Sequence, residues 1–437
     1  MTVLHRIGRD GNRGPPQQAA EPAGEQPSPS RRSLRGLDWF VFFLADVQTG
    51  FGPFVAVYLT TQKWTQVEIG LVLSVSGLVA LAGQMPGGAL VDAVRSVRFV
   101  AGLAVTAIGV AALAYAALPT FLVVMTAAVL HASASCVLGP AIAAMSLGLV
   151  GQAAVGERFG RNARFASIGG GIAAAVMGAG GYFLSSRAVF LVTVALAIPT
   201  LLALAQIRAG EISPARTYGA VPRQTDLPRS VAGIGRLLRN RPLLTFAACV
   251  LLFQLANAAM LPIMAGVVTT RSSNWATVLI AACMIVPQIV VAAMSPWVGR
   301  KAQQWGRRRL LLLGLAALPI RGILFATVTD PYVLVVIQML DGITAAVFAV
   351  MVPLIIADIT LGTGHFSLAL GLVGTATGIG ASISTALAGY ISDHYGSSMA
   401  FFALATVATV GLALAYALMP ETRRTGYISS SSSSPAS

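Results

Sequence analysis

Residues Arg208–Arg241 read RAGEISPARTYGAVPRQTDLPRSVAGIGRLLRNR and form a long polar interruption inside an otherwise apolar chain. The stretch holds seven arginines and three prolines, and six long apolar runs lie on each side of it. We therefore predict an all-α membrane protein of two six-helix halves, residues 37–207 and 242–419, joined by a cytoplasmic linker at 208–241. The last part of the linker, Arg236–Arg241, is expected to form a short amphipathic helix on the membrane surface.

The apolar runs have the length that a membrane-crossing helix needs, which is about 20 residues for a hydrocarbon core about 30 Å thick. They do not alternate apolar and polar residues, as the strands of a membrane β-barrel would. The predicted spans are Leu37–Leu59, Val67–Val91, Phe99–Leu118, Phe121–Leu149, Ala166–Leu184, Val189–Ile207, Leu243–Val268, Ala276–Val298, Leu310–Val328, Tyr332–Ala357, Phe366–Ile391 and Met399–Leu418.

The basic residues are distributed unevenly between the loops. The two tails, the linker and the even-numbered loops hold 25 of the 29 Lys and Arg residues, whereas the odd-numbered loops hold Lys63, Arg187 and Arg271. The positive-inside rule therefore predicts a bacterial inner-membrane protein with both termini in the cytoplasm. Since the net charge of +14 is explained by this orientation, nucleic acid is not an expected partner.

The overall composition excludes a soluble globular protein, because only 10% of the residues are charged and a soluble domain has about a quarter. The ends of the chain, residues 1–36 and 420–437, are polar and are predicted to be disordered cytoplasmic tails. No phosphate-binding loop, zinc-protease motif, paired-cysteine metal site or nucleophile elbow is present. We expect no catalytic residue, no cofactor, no metal and no enzymatic activity.

The two halves share spaced residues that indicate an internal repeat. At an offset of 209, Pro53 recurs as Pro262, Thr60 and Thr61 recur as a second threonine pair, and Gln48 falls on Asn257. At an offset of 208, Gly170, Gly181 and Tyr182 recur in the eleventh span. Parallel repeats of six helices are one plan of secondary transporters, with the solute site between the halves at mid-membrane.

The loops after the second and eighth spans carry the most specific motif. The first has Gly88-Ala-Leu90-Val-Asp92, and the second has Gly299 followed by Gly306-Arg307-Arg308. The chain thus resembles the major facilitator superfamily, whose marker here is Gly-x-Leu-x-Asp-Arg-x-Gly-Arg-Arg. Both copies are partial: Ala93 takes the first Arg place, and Gln303 takes the Asp place of the second copy. The resemblance covers roughly Leu37 to Leu418 and implies an MFS fold.

In that family the loop aspartate is held by a neighbouring helix end, which favours closure of one gate. The resemblance therefore implies this role for Asp92, whereas a solvated loop carboxylate is the alternative. The family's antiporter marker in the fifth span is only partly present, because Val176-Met177 replaces the Gly-Pro step before Gly180-Gly181. The predicted gating residues are Gly88, Asp92, Arg98, Gly299, Gly306, Arg307 and Arg308.

Ionisable residues inside spans are costly and are therefore functional candidates. Asp46 lies about 13 Å into the first span, at 1.5 Å per residue. Thr49 and Gly50 follow it at i+3 and i+4 on one small, polar face. We predict that this face lines the solute cavity and that Asp46 carries a proton. A structural hydrogen bond to a neighbouring helix is the alternative.

Arg321 and Asp341 fall at similar distances from the outer ends of the ninth and tenth spans, which predicts that they pair. The alternative is that Arg321 binds an anionic solute. His131 is either a neutral buried side chain or a group that relays protons or contacts the solute. Gln254 and Asn257 share a helix face and either bind solute or bond to a neighbouring helix.

Together these features predict a secondary active transporter, a monomer in the lipid bilayer, which moves a small solute by alternating access. We expect proton-coupled export of an amphipathic compound or metabolite. Two alternatives stay open: import of a small organic anion or nutrient by the same fold, and a non-transporting membrane sensor or scaffold.

Overall fold

The computed structural model describes residues 28–49, 53–183, 185–219, 233–271 and 276–422. A short helical segment covers 233–237, and a 3-10 turn covers Ala209–Glu211. The other helices in the described ranges are Arg31–Thr49, Pro53–Thr61, Gln66–Ala93, Val97–Ala117, Phe121–Phe183, Ser186–Gln206, Pro214–Tyr218, Arg241–Asn257, Met260–Arg271, Ala276–Trp305, Arg307–Thr327, Pro331–Ile337, Met339–Thr360, Phe366–Tyr395 and Ser397–Leu418.

Within the described ranges, 10 helical stretches are long and apolar enough to cross a membrane. The longest helix, Phe121–Phe183, has 63 residues and non-helical backbone at Gly151. It would be about 95 Å long if straight, so it supplies two passes, the fourth and fifth spans. The first span, made of Arg31–Thr49 and Pro53–Thr61, is not among the 10 stretches. With the second pass of Phe121–Phe183 and the first span added to the 10 stretches, the architecture is consistent with the twelve predicted spans.

Several helices extend beyond the predicted apolar runs. The first begins at Arg31 rather than at Leu37, and the eighth span continues to Trp305 rather than ending at Val298. The predicted loop between the fourth and fifth spans is helical on both sides of Gly151. Charged residues can continue a helix once it has left the hydrocarbon region, so hydropathy alone predicts helices that are too short. In the linker, the helical segment lies at 233–237 and ends before most of the predicted Arg236–Arg241 segment.

Both described ends of the chain lie at the same end of the helix bundle as the linker. The Ser30 backbone N–H donates to the Glu211 carboxylate at 3.0 Å, and Ser213 donates to the Gly148 carbonyl at 2.9 Å. Near the other terminus, the Glu421 carboxylate accepts from the Arg307 backbone N–H at 2.8 Å. We call this side of the molecule the linker end. It is the arrangement that an even number of passes requires.

The two halves meet mainly through two pairs of helices. The fifth span packs on the eighth, and the second packs on the eleventh. A continuous apolar core, which includes Leu138 and Leu354, runs through both halves. These two packing pairs position the sites described below.

Candidate functional site

A buried polar cluster lies in the second half of the molecule. Arg321 is 2% exposed, and its guanidinium donates to the Asp341 carboxylate and to the Asn257 side-chain oxygen. The Met260 sulfur lies 3.2 Å from one guanidinium nitrogen, and the Phe325 ring centroid lies 5.9 Å from the guanidinium carbon. The predicted pairing of Arg321 with Asp341 is confirmed, and Asn257 is a second partner. Shared hydrogen bonds of this kind lower the cost of burying the arginine.

The cluster is built at two helix interruptions. The seventh span ends its first helix at Asn257 and resumes at Met260, and the tenth is interrupted at Gln338, three residues before Asp341. At the first interruption, the Ala259 backbone N–H donates to the Ser384 hydroxyl at 3.1 Å. The backbone at Ala258 and Gln338 keeps right-handed helical angles, so each span remains one continuous pass with a local irregularity beside the cluster. The Asp341 side chain is 24% exposed, so part of its carboxylate reaches accessible space.

The structure describes the first span on both sides of residues 50–52, as the helices Arg31–Thr49 and Pro53–Thr61. At the repeat offset of 209, Thr49 and Pro53 match Ala258 and Pro262 of the seventh span. The backbones of Asp46 and Thr49 belong to the first of these helices. Their side chains and all of Gly50 lie outside the part of the chain that the structure describes. Their predicted roles in the cavity therefore stay predictions.

The other predicted cavity residues make contacts within their own halves. His131 Nε2 lies 3.3 Å from the Ser135 hydroxyl, one helical turn further along the fourth span. Gln254 packs against the eleventh span, since a Cβ added at Gly380 would lie 3.1 Å from the Gln254 Cβ. These contacts are those of packed helices, and no contact of either side chain with the Arg321 cluster occurs among the bonds described.

The linker end is closed across the two halves by Asp92. Its carboxylate accepts from the backbone N–H groups of Ser367 at 3.0 Å and Leu368 at 2.8 Å, which lie in the first turn of the eleventh span. Tyr218 of the linker donates its hydroxyl to the same carboxylate at 3.1 Å. Asp92 is 1% exposed and lies in the last helical turn of the second span, not in a loop. The expected contact with a neighbouring helix end is confirmed, and the solvated alternative is wrong.

Glycines allow the backbones of the two halves to touch near this end. A Cβ at Gly88 would lie 2.2 Å from the Ser367 carbonyl oxygen, and one at Gly160 would lie 2.4 Å from the Ser295 carbonyl oxygen. Gly299 would meet the Gly156 carbonyl oxygen at 2.3 Å. Toward the opposite end of the second span, a Cβ at Gly77 would have no atom within 4 Å. The halves are therefore in tight contact at the linker end, whereas the second span has open space beside Gly77.

The remaining predicted gating residues stabilise the linker end within each half. Arg98 donates to the Ile207 carbonyl, where the sixth span meets the linker. Arg307 pairs with Asp358 at 2.9 Å. The backbone N–H groups of Arg307 and Arg308 both donate to Glu421, next to Gly306, which has a φ of +91°. Only Gly88, Asp92 and Gly299 of the predicted gating set make the described contacts between halves.

Comparison with known proteins agrees with this architecture. The family model of the Major Facilitator Superfamily matches residues 39–329 and 273–434. The chain belongs to the Major Facilitator Superfamily. An uncharacterised MFS-type transporter of Mycobacterium tuberculosis (strain ATCC 25618 / H37Rv) is 37% identical over 395 residues, covering 90% of this chain and 94% of that protein. The chain is thus a multi-pass membrane transporter that works by secondary transport.

Two further comparisons extend the picture. The puromycin resistance protein of Streptomyces alboniger is 29% identical over 128 residues, which cover 29% of this chain and 25% of that protein. The Escherichia coli fucose:proton symporter FucP (N162A) superimposes with a TM-score of 0.71 at 14% sequence identity, covering 88% of this chain and 98% of that one. At this identity, the second likeness shows the MFS fold alone.

One charged network of this MFS transporter was missed by sequence reasoning. Asp38 accepts from Arg158 at 2.7 Å and from Arg161 at 2.6 Å, and Arg158 also donates to Asn162 at 2.8 Å. The network ties the start of the first span to the start of the fifth. The sequence gives no signal at Asp38 itself, because it is the second residue of a predicted span and a carboxylate there is ordinary. The arginines three residues apart, in a stretch predicted as a loop, were the signal that could have revealed it.

Proposed function

We propose that this transporter exports a small amphipathic compound across the bacterial inner membrane in exchange for protons. The termini and the linker face the cytoplasm, the solute binds between the halves, and Asp46 carries the proton. The Arg321 cluster holds the second half of the binding region in shape. The transporter acts as a monomer.

The observation that carries this proposal is the asymmetry of contact between the halves. Backbone-to-backbone contacts at Gly88, Gly160 and Gly299 close the linker end, whereas Gly77 is open toward the other side. Alternating access requires two such arrangements, each closed at one end. With the linker end in the cytoplasm, the described arrangement is the outward-facing one, from which an exporter releases its solute and takes up external protons.

The Arg321 cluster supports Asp46 as the proton carrier. Asp341 is already engaged by Arg321, so its carboxylate has a fixed cationic partner. A coupling carboxylate needs to gain and lose a proton as the transporter changes conformation, which a permanent ion pair opposes. Asp46 lies inside the first span, at a depth where a charge is costly. It is the better candidate of the two.

The same cluster argues against import of an organic anion held by Arg321. The guanidinium is 2% exposed, and its described partners are Asp341, Asn257 and the Met260 sulfur. An anionic solute would have to displace Asp341 before it reached the arginine. Export agrees with the name of the partial relative that confers puromycin resistance.

The test uses inverted membrane vesicles that contain the full chain, with an inside-acid pH gradient and labelled puromycin as the probe. Export from the cytoplasm then becomes uptake into the vesicles. We expect uptake that collapses when the gradient is dissipated and is lost in Asp46→Asn. Asp393→Asn is the control, because Asp393 is an exposed carboxylate in the last turn of the eleventh span.

Each other outcome contradicts a stated part of the proposal. Unchanged uptake in Asp46→Asn would remove that residue from coupling. Transport only with the opposite gradient would favour import. Folded protein that transports none of a panel of amphipathic drugs in either direction would favour a sensor or scaffold.

A further inference from the structure

A cleft of about 300 Å³ opens at the linker end, between the start of the first span and the start of the fifth. It lies away from the central region between the halves, and no step of the proposed transport cycle uses it. Its polar lining consists of Arg31, Arg35, Glu157, Arg158 and Arg161. We call it the arginine cleft.

The arginine cleft carries more positive charge than its carboxylates balance. Asp38 is shared by Arg158 and Arg161, and Glu157 is the carboxylate on the lining itself. Among the ion pairs of the described residues, none involves Arg31 or Arg35. Both are exposed, so two guanidinium groups are available to an anion.

One wall of the cleft leads onto an apolar surface. Trp39 follows Arg35 by one helical turn and is 46% exposed. On the fifth span, Phe165 follows Arg161 by one turn, and the Arg161 guanidinium lies 5.6 Å from its ring centroid. The two rings are in edge contact, with centroids 6.2 Å apart. Side chains at i and i+4 share a helix face, so charge and aromatic surface form one continuous strip.

We propose that the arginine cleft binds the headgroup of an anionic phospholipid, with an acyl chain packed along Trp39 and Phe165. Arginine suits a phosphate group because its fork of N–H donors can bind two oxygens at once. Basic pockets between membrane helices recognise anionic headgroups, and exposed tryptophan is typical of the membrane interface. A soluble phosphate would use the arginines but would leave the aromatic strip without a role.

The bound lipid would link two elements of the closed linker end. It would contact Arg31 and Arg35 on the first span and the exposed Arg161 on the fifth. The fifth span meets the eighth at Gly156 and Gly160, and Gly160 is next to Arg161 in the sequence. The lipid would therefore stabilise the contact between the halves.

The test places the full chain in nanodiscs of phosphatidylcholine with a minor fraction of phosphatidylglycerol brominated on its acyl chains. Bromine quenches tryptophan fluorescence at close range, and Trp39→Phe identifies the part that comes from Trp39. We expect Trp39 to be quenched more by brominated phosphatidylglycerol than by brominated phosphatidylcholine at the same fraction. In Arg31→Gln/Arg35→Gln, the amount of phosphatidylglycerol needed for half of the quenching should rise by about 25-fold, at about fivefold for each arginine.

The matched control is Arg300→Gln/Arg309→Gln, which removes two exposed arginines at the linker end of the other half and should change nothing. Glu157→Gln should act in the opposite direction and tighten binding about fivefold. A misfolded variant would lose lipid binding, so tighter binding in Glu157→Gln cannot be explained by misfolding. Equal quenching by the two brominated lipids would overturn the proposal. So would full displacement by millimolar glycerol phosphate, which would assign the cleft to soluble phosphate esters.

Discussion

Asp92 and Ser367 lie 275 residues apart in the sequence, yet the Ser367 backbone N–H donates to the Asp92 carboxylate at 3.0 Å. Leu368 and Tyr218 complete the set of donors, so one carboxylate joins the first half, the linker and the second half. An anion at a helix N-terminus satisfies free N–H groups and interacts favourably with the helix dipole. The closed linker end is therefore organised around a single buried side chain.

We expect Asp92→Asn to weaken closure of the linker end by about 2 kcal/mol, the worth of a hydrogen bond to a charged group. Spin labels at positions 157 and 300, on the fifth and eighth spans, would measure the gap between the halves. The distance distribution should gain a longer component. Asp393→Asn removes an exposed carboxylate far from this contact and should leave the distribution unchanged. A distribution unaltered in Asp92→Asn would contradict the role of Asp92.

Gly88→Ala tests the backbone contact beside Asp92. The new methyl group would lie 2.2 Å from the Ser367 carbonyl oxygen, and backbone cannot move aside as a flexible side chain can. We expect closure to weaken by about 1–3 kcal/mol, the usual cost of overpacking.

Gly77→Ala is its matched control, because it adds the same methyl group to the same helix where no atom lies within 4 Å. The same pair of spin labels should report no change for this variant. Equal effects of the two substitutions would mean that helix propensity, rather than contact between the halves, is responsible.

Closure of the linker end should weaken as the pH falls. His365, just before the eleventh span, is 1% exposed, its Nδ1 has no partner among the described residues, and its ring packs against Gly233 of the linker. Burial lowers the pKa of His365, and the positive charge of Arg236 lowers it further. In the open state the pKa would return to its ordinary value of about 6.5.

Because the open state binds the proton more readily, closure is favoured above pH about 6.5 and is lost as the pH falls below that value. The loss ends once the lowered pKa of the closed state is passed. Distance measurements between the two spin labels at about pH 7.5 and about pH 5.5 would show the shift in the wild type. We expect the shift to disappear in His365→Gln. A shift that persists in this variant would assign the response to another titratable group.

The Arg321–Asp341 pair should stabilise the second half. Asp341→Asn leaves a buried guanidinium without its carboxylate and should lower stability by about 3 kcal/mol. Thermal unfolding of the detergent-solubilised protein would show a lower midpoint. In the double variant Arg321→Gln/Asp341→Asn no buried charge is left, so the loss should be smaller than the sum of the single losses. Additive losses would show that the two residues act independently.

Some of the site could be predicted from the sequence. The pairing of Arg321 with Asp341 is predictable because distance along a helix converts directly into depth. Opposite charges at equal depth in neighbouring spans lower the cost of their burial by pairing. Asn257 was placed in the cavity as a candidate, but its bond to Arg321 was not foreseen. Pro262 signals a local break here, because a proline removes the hydrogen bond to the carbonyl four residues earlier, that of Ala258. The sequence does not show that the Asn257 side chain meets Arg321.

The sequence predicted the type of contact that Asp92 makes but not its partners. The family motif indicated a neighbouring helix end but not which one, and Tyr218 lies in a linker whose packing has no periodicity to follow. The Asp38 network was missed because a carboxylate near the end of an apolar run is ordinary in sequence. Its importance arises from two arginines 120 and 123 residues away.

Local composition was enough to specify a bundle of membrane-spanning helices in two halves. Each stretch of about 20 apolar residues can cross the bilayer as a helix that satisfies its own backbone hydrogen bonds. Which end of the bundle is closed was decided by the tertiary structure. Closure depends on glycine backbones from distant parts of the chain that touch to within van der Waals distance, as at Gly160 and Ser295. Such contacts are set by how whole helices tilt and pack, and no local pattern encodes that tilt.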